Sequence, residues 1–141
     1  MKAEQIFSIA SVIAMISWLL LVVAPRWFLT RKGVLSGAIP LLLSGAYLVL
    51  IAAFFGSSEG GFSSLADVIK LFTYEWMVLA GWIHYLAFDL FVGVWEVQDA
   101  QAKNISHWFV IPCLILTFML GPIGFLLYSI LRLFLAKGDE K

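Results

Sequence analysis

The sequence predicts an all-α integral membrane protein with four transmembrane helices and a short interfacial helix between spans two and three, and three observations carry that reading. Of the 141 residues, 62% are hydrophobic and 13% charged, with a mean hydropathy of +0.99, far from the balance of an ordinary soluble domain. The apolar residues gather into stretches near or above the ~20 residues that a helix needs to cross a ~30 Å hydrocarbon core. Short polar or glycine-rich connections separate them, which suits a single transmembrane domain over residues 1–141. Nine Lys and Arg balance nine Asp and Glu, so charge gives no reason to expect nucleic acid as a partner. The lone Cys113 excludes an internal disulfide and, within an apolar run, reads as a packed, inert thiol.

Span one is expected over residues 5–24, where Lys2 and Glu4 precede an apolar run without a small-residue cleavage pattern, which argues against a removable signal peptide. Pro25 ends it, and Arg26, Arg31 and Lys32 follow beside Trp27 and Phe28, residues suited to the membrane interface. Span two is expected over 36–55, with Pro40 tolerated in its first turns and Gly33, Gly37, Ser44 and Gly45 as candidates for close helix approach. After a flexible glycine- and serine-rich link, Leu65, Val68, Ile69 and Phe72 recur at helical spacing, so residues 64–73 are read as a helix lying on the membrane, capped by Ser64.

Span three is expected over 76–95 and is polar where polarity is costly. His84 falls beside its midpoint and Asp89 about 6 Å further along; a charge at such depth costs about 2.5–3.5 kcal/mol on insertion scales and normally faces other helices or a cavity. At about 100° per residue, His84 and Asp89 lie roughly 140° apart and do not bond directly, whereas Tyr85 and Asp89 share a face. Glu75, Trp82, Asp89 and Glu96 recur every seven residues and predict one acidic and aromatic stripe pointing into the bundle. Span four is expected over 107–135. At ~43 Å it is too long for the core unless tilted or broken, and Gly121, Pro122 and Gly124 supply a break that frees the Phe118 carbonyl. The ten-residue connection makes spans three and four antiparallel neighbours. Four spans put both termini on one side with five Lys and Arg against four (Arg26, Arg31, Lys32, Lys103); that balance leaves orientation open, with the compact cluster leaning towards termini outside.

The candidate catalytic residues are Asp89 and His84, an acid and a base held away from water, followed by Glu96 and His107 at the membrane face where span three gives way to span four. The bland alternative is that Asp89 and His84 only bond between helices, and that the second group, with Asp99 and Asn104, is loop polarity and capping. Trp82, Tyr85, Phe88 and Trp95 are candidates to line a pocket for a flat apolar molecule, the alternative being ordinary core and lipid-facing aromatics. His84 and His107 are too far apart along antiparallel helices to serve as paired haem ligands, and neither a metal site nor a cofactor is expected.

The run WIHYLAFDLFVGVWEVQDAQ (82–101) followed by ISHWFVIPCLILTFMLGPIGFLLY (105–128), about a third of the chain, resembles the abscisic-acid-deficient-four family of small integral membrane proteins. Plant members of that family are associated with converting violaxanthin to neoxanthin. The resemblance implies a neoxanthin-synthase-like, cofactor-independent membrane isomerase acting on a carotenoid or related polyene by acid and base chemistry. A carboxyl (Asp89 or Glu96) would donate a proton and His84 would remove or relay one. The alternative, from a different class, is a non-catalytic carotenoid-binding or assembly protein. The expected partners are a polyene and the lipid bilayer, with a homo-oligomer compatible. The expected place is a bacterial inner membrane, or a plastid membrane for a trimmed plant protein.

Overall fold

The computed structural model describes residues 2–136 as helices and connections. α1 spans Ala3–Val23, and a π-helical turn at Thr30–Val34 leads into α2, Ala38–Phe54, which ends in a 3-10 turn. α3 spans Leu65–Leu71, α4 Glu75–Ala102, α5 His107–Leu120 and α6 Pro122–Leu135. Three of these segments (Ala3–Val23, Ala38–Ser57 and Glu75–Ala102) are long and apolar enough to cross a membrane, while α5 and α6 are shorter apolar helices. α3 starts where expected, with the Ser64 hydroxyl accepting the Asp67 N–H at 3.1 Å, an N-cap that satisfies one of the four free donors of a helix start. An exposed ion pair between Lys70 and Glu59, 2.8 Å, ties the preceding loop to it. That contact holds Glu59 below its ordinary carboxyl range and Lys70 above its ordinary amine value.

α4 is the central element, and side-chain pairings fix how its neighbours run. Phe7 and Ser11 of α1 meet Trp82, and Trp18 lies where a side chain at Gly93 would stand, so α1 and α4 are parallel. Leu35, Tyr47 and Phe54 meet Gln98, His84 and Trp76 in turn, so α2 runs antiparallel to α4. The buried face of α4 includes Leu79, Ile83, Leu86, Leu90, Val94 and Val97, a helical stripe wide enough to seat neighbours on two sides. In contrast, a side chain built at Gly33, Gly37 or Gly45 would meet nothing within 4 Å. The small residues expected to bring helices together around α2 face open space.

The largest departure from expectation lies in the last third. Residues 107–135 do not form one span. α5 runs antiparallel to α4, as the short connection required, placing Thr117 against Glu96 and Gly121 against Asp89. The chain then reverses: Phe125 meets Trp95, and Tyr128 and Arg132 bond Asp99. Gly124 packs so closely on Thr117 that no side chain fits between them. α5 and α6 are therefore the two legs of a hairpin that enters and leaves on one face. Its depth is ~21 Å for fourteen residues, matching the ~20 Å of α4 between Asp89 and Ala102. The cause is local: Gly121 has φ +38° and ψ −90°, a conformation that favours glycine, and Pro122 has no N–H to continue α5 but is well placed to start α6. The start of α1 and the end of α6 consequently lie at opposite faces, which corrects the expectation of four spans with both termini on one side. Lys137 and Lys141, two of the cations weighed for orientation, fall outside the described residues.

Candidate functional site

α4 continues to Ala102, seven residues beyond the expected end of span three, so its middle falls at Phe88 and Asp89. The tip of the hairpin is seated there. A Cβ at Gly121 would lie 2.8 Å from Asp89 Oδ1, and the Asp89 Oδ2 atom is buried without a hydrogen-bond partner among the described residues. The carboxyl thus faces the start of α6, where the first helical N–H groups lack internal partners and the helix dipole is positive. One turn back along α4, the Tyr85 hydroxyl lies beside Asp89 and donates to the Phe118 carbonyl at 2.7 Å. This carbonyl is the one that Pro122 leaves without an intrahelical donor. The break in the last apolar stretch and the aromatic face of α4 are therefore parts of one contact.

Tyr85 also closes the inner end of a groove of about 1140 Å³ between α1, α4 and the end of α3, whose walls include Phe7, Phe72, Trp76 and Trp82. Lys2, Glu4, Thr73 and Glu75 stand at its outer end, ~15 Å from Tyr85 by helical rise. The Trp82 indole N–H donates to Ser11 at 3.0 Å, and its ring lies 5.4 Å from that of Tyr85. The site is a polar-mouthed aromatic groove with Tyr85 at its floor and Asp89 just behind.

Glu96 is 0% exposed. It was expected at the membrane face, within reach of water. The structure buries it inside the hairpin, because α4 runs past it and α5 returns over it. One oxygen accepts the Thr117 hydroxyl at 2.8 Å and the other, Oε2, has no partner. Further along the same side of α4, Asp99 accepts two bonds from Arg132, at 2.7 and 3.1 Å, and one from Tyr128 at 2.8 Å. Arg132 also lies over the Trp95 ring, 5.8 Å to its centre. The predicted seven-residue stripe is thus only partly internal: Glu75 and Trp82 border the groove, whereas Asp89 and Glu96 meet the hairpin.

The two histidines do not join these carboxyls. His84 is exposed and packs with Tyr47 and Phe88, rings 5.4 and 4.8 Å away, on another face of α4, as the 140° step requires. Phe88 goes with it, towards a small recess beside α2, so it does not line the same groove as Trp82 and Tyr85. His107 donates from Nε2 to the Val22 carbonyl at 2.9 Å, satisfying one of the free carbonyls at the end of α1; its bonded partner is not Glu96. Trp95 packs against Phe125 and Tyr128 of α6. Residues that sequence reasoning passed over are Thr117, Tyr128 and Arg132. Their signal was available only as polar groups spaced along an apolar stretch, and their partners follow from the fold-back.

The model of the ABA DEFICIENT 4-like family matches residues 5–128. The chain is 26% identical over 113 residues to Protein ABA DEFICIENT 4, chloroplastic, of Arabidopsis thaliana, an alignment covering 74% of this chain and 51% of the relative. The chain therefore spans about half the length of that curated relative. No solved structure matches. Since the family match runs over most of the chain and takes in Trp82, Tyr85, Asp89 and the hairpin tip, the chain belongs to the ABA DEFICIENT 4-like family.

Proposed function

We propose that this protein is a membrane isomerase of a carotenoid or similar polyene, with the end group of the substrate in the Trp82–Tyr85 groove and Asp89 as the group that moves the proton. The observation that carries the reading is the Asp89 carboxyl. It holds an unpartnered buried oxygen immediately behind the aromatic floor of the Trp82–Tyr85 groove, whereas Glu96, whose Oε2 is also unpartnered, lies against the hairpin away from that groove. Family membership supplies the substrate class: the resemblance links these proteins to carotenoid conversion, and the Arabidopsis relative is a chloroplast protein by its name. That name favours a plastid membrane and lends nothing to the bacterial inner membrane.

For an epoxide-bearing end group the chemistry balances without an added oxidant or reductant. The protonated Asp89 carboxyl, directly or through the Tyr85 hydroxyl, gives its proton to the epoxide oxygen. The C–O bond breaks with its electron pair on oxygen, leaving a hydroxyl and a carbocation spread into the polyene. The faces of Trp82 and Tyr85 stabilise that positive charge. A C–H proton of the polyene returns to the Asp89 carboxylate, and its electron pair forms the new double bond. One carboxyl serves as acid and then as base, so His84, on another face of α4, has no step here.

The test is expression in cells that accumulate epoxy-carotenoids, followed by chromatography of the extracted pigments. A new isomer is expected with the intact chain, with at least ~10²-fold lower conversion for Asp89→Asn. Purified protein that retains pigment across several candidate substrates but never alters it would instead make this a binding or assembly protein.

A further inference from the structure

The distribution of charge is concealed by the balanced totals. Once the hairpin returns α6 to the face where α4 ends, the described residues give that face Arg26, Arg31, Lys32, Lys103 and Arg132 against Asp99, five minus one, or +4. The opposite face carries Lys2 and Lys70 against Glu4, Glu59, Asp67 and Glu75, two minus four, or −2. Among the described residues the only ion pairs are Lys70–Glu59 and Arg132–Asp99. Arg26, Arg31 and Lys32 are exposed and have no carboxylate partner among the described residues.

These three cations share the connection between α1 and α2 with Trp27, Phe28 and Leu29, which are 52%, 63% and 53% exposed. Lys32 Nζ lies 5.2 Å from the centre of the Phe28 ring. The connection is held in place from both sides. Gln98 of α4 donates to the Leu35 carbonyl at 2.6 Å, and His107 of α5 donates to Val22 at 2.9 Å. Large apolar side chains beside unpaired cations, fixed at the end of two spanning helices, match the boundary between acyl chains and headgroups. The aromatic and apolar groups enter the boundary while the cations meet negative charge.

We propose that Arg26, Arg31 and Lys32 form a binding site for the headgroups of anionic membrane lipids. Phosphate or sulfonate oxygens would be held by the two guanidinium groups, with Trp27 and Phe28 inserted alongside the acyl chains. This site is separate from the groove, which opens at the other face, so its test does not depend on the isomerase reading.

The experiment uses the full chain in nanodiscs containing equal phosphatidylglycerol and phosphatidylcholine, with retained lipids counted by native mass spectrometry. The wild type should retain the anionic lipid preferentially, and R26Q/R31Q/K32Q should lower that preference tenfold or more, given roughly fivefold per juxtamembrane cation. R26K/R31K, which keeps the charge but loses the paired guanidinium donors, should retain a preference between those of the wild type and the triple variant. The wild-type preference should also collapse between about 0.05 and 0.5 M salt as the screening length shortens from more than 10 Å to under 5 Å, a measurement that holds even if the triple variant does not fold. No preference in the wild type, an unchanged preference in the triple variant, or insensitivity to salt would overturn the proposal. So would loss of the preference on adding inorganic phosphate at constant ionic strength, since that result would mark a site for free anions.

Discussion

Replacing Gly124 with alanine is the sharpest test of the hairpin. A Cβ there would overlap the backbone nitrogen, the Cα and the hydroxyl of Thr117, and two of those three atoms are main chain and cannot rotate away. The legs must then separate. Overpacking of this kind costs about 1–3 kcal/mol. Separation also withdraws the Thr117 hydroxyl from Glu96, a 2.8 Å bond to a side chain that is 0% exposed, and leaving a buried acceptor unsatisfied costs about 1–3 kcal/mol more. The sum is about 2–6 kcal/mol, a fall in Tm of at least ~8 °C at roughly 4 °C per kcal/mol for a chain of this size. Gly45→Ala is the control. It sits inside α2 with nothing within 4 Å of its Cβ, so removing a helical glycine should leave Tm unchanged or raise it slightly, by up to about 1 kcal/mol of stability. Thermal unfolding of both variants in one detergent decides the matter. If Gly124→Ala matched Gly45→Ala, residues 107–135 would not fold back at Gly121, and the continuous fourth span would return.

The burial of Glu96 changes what Glu96→Gln should do: the amide brings an N–H2 group into a fully buried place with one hydroxyl partner, and Tm should fall by an amount corresponding to ~1–3 kcal/mol, where a residue at the membrane face would have been tolerant. Arg132→Gln removes both charge-assisted bonds to Asp99 and should cost about 1–2 kcal/mol, Arg132 being partly exposed; thermal unfolding in detergent would register the loosened outer leg, and an unchanged Tm would count against the latch. Tyr85→Phe leaves the Phe118 carbonyl unpaired and should lower isomerisation more than pigment retention, so equal losses of both would assign Tyr85 to binding alone. For orientation, Ser63→Cys and Gln101→Cys lie at opposite faces and are exposed, whereas the native Cys113 is buried; a membrane-impermeant maleimide should label only Ser63→Cys from outside intact cells, and the reverse pattern would refute the positive-inside assignment.

What could be read from the sequence was what depends on helix geometry alone. The 3.6-residue period separated His84 from Asp89, joined Asp89 to Tyr85, and identified Phe118 as the carbonyl that Pro122 would strand; the Tyr85 hydroxyl supplies the missing donor. The short helix before α4 and its Ser64 cap were equally local. The hairpin was not legible, because Gly121–Pro122 marks a break equally well whether the chain continues or reverses, and nothing in hydropathy distinguishes two half-depth helices from one long one. The misplacements of Glu96, Thr117 and Arg132 follow from that ambiguity. A span three that ends at 95 puts Glu96 within reach of water, and a fourth span that continues to 135 carries Arg132 to the far side of the bilayer, away from Asp99. The pairing of His84 with Asp89 in a single reaction was a chemical preference that the angular separation already opposed.

The hairpin also determines from which side the groove is reached. With a continuous fourth span, Arg132 would have stood at the face of Lys2 and Lys70 and the cations would have been nearly even. With the fold-back, the short connections give Arg26, Arg31, Lys32, Lys103 and Arg132 to one face and leave Lys2 and Lys70 on the other. An excess of this kind in short connections orients the cationic face towards the compartment in which the chain is inserted. The outer end of the groove, bounded by Glu4 and Glu75, then belongs to the opposite leaflet. In the proposed reaction a polyene entering end-on from that leaflet would meet Trp82 and Tyr85 before Asp89, while the hairpin occupies the half of α4 behind the carboxyl. Water from the cationic face would have to pass the packed contacts of Asp99, Tyr128, Glu96 and Thr117 to reach a cation formed on that substrate. On this proposal a hairpin of half depth would seal the reacting end from water and leave the opposite half of α4 open for a long apolar molecule.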